Sequence, residues 1–66
     1  MNLGLKMARL EKRHTQKELA KAVGVTPKYI SLLEATGVLP RASLMKKIAA
    51  ELGCPVQELF FNEKER

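Results

Sequence analysis

The sequence predicts an all-α domain of five short helices. Three observations predict it. Apolar residues recur at spacings of three and four, the period of a helix with one buried face. Gly or Pro stands wherever such a stripe stops. No run alternates apolar and polar residues as a half-buried strand would, and no internal repeat or linker divides the chain. With 66 residues the chain has length for one domain, residues 1–66.

Leu3, Met7 and Leu10 recur at helical spacing, with Ala8 beside Met7, and Lys6, Glu11, Lys12 and Arg13 take the other faces. This predicts an amphipathic first helix over about residues 3–13. His14 falls in the break after it. Thr15-Gln16-Lys17-Glu18 is a capping box, S/T-x-x-E, placed directly before Leu19 and Ala20. The second helix then runs over 16–23 on the stripe of Leu19, Ala20 and Val23, and Gly24 stops it. Thr26 is a good N-cap, and Pro27 suits the first helical position because its missing N–H would be unpaired anyway. Ile30 and Leu33 give the third helix, 27–35, its inward stripe. Gly37 and Pro40 bracket a turn. Leu44, Ile48, Ala49 and Leu52 carry a fourth helix, 41–52, ended by Gly53. After Cys54-Pro55, a fifth covers 55–61 with Val56, Leu59 and Phe60. Residues 62–66 are polar and expected to fray. Met1, Met7 and Met45 are expected to be core or edge filler, and Cys54 a small buried hydrophobe.

Composition narrows the function. A chain this short buries only about 60% of its unfolded surface, so the core is small. One Cys excludes an intramolecular disulfide and a Cys-rich zinc site. His14 has no second ligand nearby, so no metal is expected, and no cofactor either. Nothing approaches a membrane-spanning apolar run or a signal-peptide core, which points to a cytoplasmic protein. An enzyme is not expected: there is no Asp, no second His, no G-x-S-x-G and no phosphate-cradling Gly loop. Net charge is +5. Residues 1–50 hold ten Lys or Arg against three Glu, whereas residues 51–66 hold two against four. A basic first three-quarters on a chain without room for a deep pocket points to a polyanion, against the plainer reading of a solvated face.

The central helix pair carries the most information. Two helices of about eight residues joined by a tight Gly turn form a helix-turn-helix. Gly24 supplies the left-handed backbone that leaves the first helix, Ala20 permits close approach at the crossing, and Val25 plugs the turn into the core. Thr15-Gln16-Lys17-Glu18-Leu19-Ala20, Val23-Gly24-Val25-Thr26 and Tyr29-Ile30-Ser31-Leu32-Leu33-Glu34 resemble the Cro/CI-type helix-turn-helix of bacterial and phage regulators, the XRE family. Pro40, Ile48-Ala49-Ala50-Glu51-Leu52-Gly53 and Leu59-Phe60 extend the resemblance over about residues 3–61. It implies a five-helix, lambda-repressor-like DNA-binding domain whose third helix enters the major groove. One departure stands out: the family places Gly where this chain has Thr36, and Gly37 follows one place later. A local change at the exit of the third helix is expected.

The resemblance also implies roles. Base-facing positions fall on Thr26, Pro27, Lys28 and Leu32. Lys28 can donate to guanine O6 or N7. Leu32 is off the inward stripe, so it is either exposed and available to a thymine methyl or a partly buried core edge. Phosphate contacts fall on Gln16, Lys17, Tyr29, Ser31, Arg41 and Ser43. Tyr29 offers its hydroxyl to a phosphate, packs its ring on the second helix, or combines the two. Lys17 and Lys46 add long-range attraction or are simply solvated. Arg9 and Glu34 match a charged pair linking the first helix to the end of the third. Breaking it would cost about 3–5 kcal/mol if buried, and about 1 or less if exposed.

One such module covers a single half-site, and specific binding usually needs two, about 34 Å apart. There is no room for a separate dimerisation domain, so a homodimer is expected to use this one. Leu59 and Phe60 suffice for the core, which leaves Phe61 beside Val56, with Val38 and Leu39, as the expected dimer surface. The alternative is that Phe61 folds back over the first helix. The reading is a sequence-specific transcriptional regulator, a repressor binding double-stranded DNA as a homodimer on a palindromic operator, with no small-molecule ligand and no membrane partner. A protein-interaction module of the same fold and the antitoxin of a toxin–antitoxin pair are the alternatives.

Overall fold

Local chemistry starts and stops each helix. The computed structural model describes residues 2–61, which form α1 (Leu3–Glu11), α2 (Gln16–Val23), α3 (Pro27–Thr36), α4 (Ala42–Leu52) and α5 (Val56–Phe60). The expected tail, residues 62–66, and Met1 lie outside the described residues. At the start of α2 both halves of the capping box are made. Thr15 Oγ1 accepts from the Glu18 amide at 3.0 Å, and Glu18 Oε1 accepts from the Thr15 amide at 2.8 Å. Gly24, at φ 82°, turns the chain out of α2, and its N–H donates to the Ala20 carbonyl. Thr26 Oγ1 accepts from the Tyr29 amide at 3.1 Å and opens α3.

The ends of α1 and α3 differ from expectation. α1 stops at Glu11 rather than at residue 13. Arg13 takes φ 59°, and His14 and Arg13 donate to the carbonyls of Arg9 and Leu10. These are the two hydrogen bonds of a Schellman stop, built here around an Arg where Gly is usual. α3 runs one residue further than expected, to Thr36, and Gly37 at φ 79° ends it. The Thr36 hydroxyl donates to the Leu32 carbonyl at 2.8 Å and accepts from the Val38 amide at 3.3 Å. The later Gly thus adds one residue to α3, and a hydroxyl ties the lengthened end to the loop. α4 begins at Ala42, with Arg41 in the N-cap position, and α5 spans Val56–Phe60 with Pro55 before it and Phe61 after it.

The face that α1 buries is the larger correction. Leu5, Ala8 and Arg9 are buried, while Met7 and Leu10 are each 54% exposed and Leu3 36%. The expected stripe of Leu3, Met7 and Leu10 therefore points outward. Arg9 decides this. On a helix, positions 5, 8 and 9 share a side, so turning Arg9 to its partner on α3 also turns Leu5 and Ala8 into the core. That core joins Leu5 and Ala8 to the expected stripes of α2 and α3, to Ile48 and Leu52 of α4, and to Leu59 and Phe60 of α5. Val25, Leu44, Met45, Ala49, Cys54 and Val56 pack at its edge, half-buried.

A polar network crosses this apolar interior. Arg9 Nε donates to Glu34 Oε2 at 2.6 Å and its Nη2 to Oε1 at 3.2 Å, with both side chains under a tenth exposed. Arg9 Nη1 also donates to the His14 carbonyl at 2.7 Å, which fixes the α1–α2 connection. Asn2 is buried as well. Its side-chain amide donates to the carbonyls of Leu33 at 2.8 Å and Val38 at 3.0 Å, and its backbone N–H to that of Glu34. The start of α1 thereby holds carbonyls at the end of α3 that the helix itself cannot satisfy. Among the described residues, no buried side-chain nitrogen or oxygen lacks a hydrogen-bond partner.

Arg9→Ala leaves Glu34 as an uncompensated buried charge, so urea denaturation should show a loss of about 3–5 kcal/mol. A loss within the range of an exposed pair, about 1 kcal/mol or less, would contradict the burial. Arg13→Gly keeps the left-handed conformation and removes the side chain that resists it, so the same measurement should show a gain of about 1 kcal/mol.

Candidate nucleic-acid interface

Gly24 and Val25 are the whole connection between α2 and the cap of α3, so these helices cross closely, with Ala20 buried where they meet. Ile30 and Leu33 turn inward from α3. Lys28, Ser31 and Leu32, spaced three and four apart, share the opposite face, and all three are exposed. Leu32 is 45% exposed, which resolves the two readings of it: it is a surface residue of α3. Thr26 and Pro27 are exposed at the helix start. The Thr26 oxygen accepts the capping bond, and its O–H and methyl remain available for other contacts on this exposed residue.

Two groups of polar side chains border this face. The first is at the start of α2. Gln16, half-buried, donates from Nε2 to Glu34 Oε1 at 3.1 Å. That bond ties the first turn of α2 to the third turn of α3, and the amide retains a second N–H. Lys17 beside it is exposed. The second group lies where α4 begins. Tyr29, Arg41, Ser43 and Lys47 line a shallow cleft of about 370 Å³, closed on its other sides by Val23, Gly24, Val25 and Leu44. Tyr29 is half-buried, packed against the core edge, and forms a wall of the cleft. No side chain caps α4, so the start of that helix offers backbone N–H groups beside the cleft. The lining contains two cations and no carboxylate, an arrangement that attracts anions.

The structure brings Tyr29, Arg41 and Ser43 together in this cleft, and Lys28, Ser31 and Leu32 on the face of α3. It does not bring Lys46 to the cleft; Lys47 takes that place. Lys47 follows Ser43 by four residues, and that helical spacing is the signal the sequence offers for it. Val38 and Leu39 are exposed in the α3–α4 loop, and Phe61 is 47% exposed at the end of α5. Val56 packs on the core edge and offers only part of its side chain to a partner. His14 Nε2 lies 3.5 Å from Glu51 Oε2, a contact between the α1–α2 connection and α4. No helix among the described residues is long and apolar enough to cross a membrane.

A family model described as helix-turn-helix matches residues 5–59. The searches of curated proteins and of solved structures returned no match. The match spans all but the outermost residues of the five helices and includes the α2–α3 pair that carries the exposed polar face. The chain belongs to the Cro/CI-type helix-turn-helix family of DNA-binding regulators.

Proposed function

We propose that this domain recognises a specific duplex DNA sequence through α3 and represses transcription by occupying its operator, catalysing no reaction itself. One observation carries the reading. The free face of α3 lies between two groups suited to phosphate: Gln16 and Lys17 at the start of α2, and the cleft of Tyr29, Arg41, Ser43 and Lys47 at the start of α4. Phosphate contacts at two places fix a helix in the groove, and side chains between them read the bases. Lys28 is the donor for a guanine edge, Leu32 and the Thr26 methyl suit thymine methyls, and Pro27 contributes shape at the helix start. Ser31 is placed for a phosphate or sugar oxygen. The small number of polar readers is consistent with a short half-site.

A short half-site calls for two copies. The proposed homodimer uses Phe61 with Val38 and Leu39, all exposed, and the accessible edge of Val56. Two copies related by a two-fold axis read a palindrome. Selection from random duplex DNA tests the whole reading. An enriched palindrome with half-sites about one turn apart is expected. Recovery of no sequence would contradict it and favour a protein partner for the same face.

Three substitutions separate the roles. Lys28→Ala should cost about 1–3 kcal/mol on the selected operator and little on random duplex; equal losses on both would remove Lys28 from the reading set. Arg41→Ala should weaken binding to every sequence and reduce the salt slope by about one contact. Phe61→Glu should sediment as a folded monomer at micromolar concentration and bind the operator poorly. A dimer unchanged by that substitution would place the interface elsewhere.

A further inference from the structure

The outer face of α1 has no task in the fold or in the proposed DNA contacts. Leu3, Met7 and Leu10 form an apolar stripe on it, directly opposite the side that carries Leu5, Ala8 and Arg9 into the core. Their spacing of four and then three is that of a two-stranded helical seam. Lys6 flanks the stripe on one edge and Glu11 on the other, and neither forms an ion pair among the described residues. Flanking charges of both signs do not suit a lipid surface, which favours cations throughout.

We propose that this stripe pairs with the same stripe of a second copy, the two α1 helices running parallel. The charges select both the partner and the direction. In a parallel pair, Lys6 of one copy stands opposite Glu11 of the other, five positions on, and symmetry makes the contact twice. An antiparallel pair would set Lys6 against Lys6 and Glu11 against Glu11. Three side chains per copy fall short of the roughly 800 Å² per partner that a stable interface buries. The pairing is therefore weak in free solution and takes hold where copies are already close, as on neighbouring sites of one DNA. It uses none of the side chains assigned to DNA or to the Phe61 surface.

Cysteine crosslinking tests this without DNA. Met7 would meet its counterpart across the seam, so Met7→Cys in a Cys54→Ala background should yield a covalent dimer when treated with a thiol oxidant at high protein concentration. Lys21→Cys, on the exposed surface of α2, gives the rate of chance collision. Adding Lys6→Glu to the Met7→Cys protein should slow crosslinking about fivefold through the two repelling contacts, and adding Glu11→Lys to that variant should restore it. All the altered side chains except Cys54 are exposed, and circular dichroism checks that each variant keeps its helices. Crosslinking at Met7→Cys no faster than at Lys21→Cys would overturn the pairing. A charge reversal that failed to restore the rate would overturn its parallel direction.

Discussion

The buried pair of Arg9 and Glu34 is the constraint on which the rest of this small domain depends. A short chain has little apolar surface to bury, and two charges in its interior need full compensation. The fold supplies it. Glu34 accepts from Arg9 twice and from Gln16 once, and Arg9 also holds the His14 carbonyl. Together these bonds tie three parts of the chain to the pair: α1, the α1–α2 connection, and the first turn of α2. The pair therefore sets the rotation of α1, the position of α2 relative to α3, and the path between α1 and α2. With Asn2 fastening the far end of α3, the proposed recognition helix is held along its C-terminal half while its N-terminal face stays free. Rigidity on one side and exposure on the other are what a groove-reading helix requires.

Much of this arrangement is legible in the amino-acid sequence. The α2–α3 unit is the clearest part because its signals are local: a capping box, a glycine at a left-handed turn, and a second capped start at Thr26. The positions of Arg9 and Glu34 are legible through family resemblance, but their burial is not, because burial is a tertiary property. The inward face of α1 escapes sequence reading for the same reason. Two apolar stripes compete on that helix, and hydrophobic spacing alone favours Leu3, Met7 and Leu10 over Leu5 and Ala8. The tertiary bonds of Arg9 and Asn2 to α3 reverse that preference. The end of α1 differs from expectation because its stop uses Arg13 in a conformation that sequence patterns assign to glycine. Asn2 gives no signal at all, since its partners are backbone carbonyls more than thirty residues away.

The candidate interface shows the same division. The roles of Lys28, Leu32 and the polar starts of α2 and α4 follow from the family resemblance. The cleft beside Tyr29 does not, since it exists only once α4 is laid against the α2–α3 turn. That packing selects Lys47 over Lys46. It also joins a ring, a hydroxyl, two cations and an uncapped helix start around one shallow space, where a phosphate group would find both charge and hydrogen-bond donors. Family membership is carried by nearly the whole chain, whereas the proposed operator and dimer rest on surface side chains.

A titration of the isotopically labelled domain with duplex DNA, followed residue by residue through amide resonances, tests the central claim most directly. Shifts should concentrate on Gln16, Lys17, the stretch from Thr26 to Leu32, Arg41, Ser43 and Lys47, and should fade as salt rises. The core face of α1 should stay unmoved. Shifts that spread evenly over the lysines, or that gather on α1 and α5 and spare α3, would contradict the assignment of α3 and its two bordering groups as the DNA-binding face.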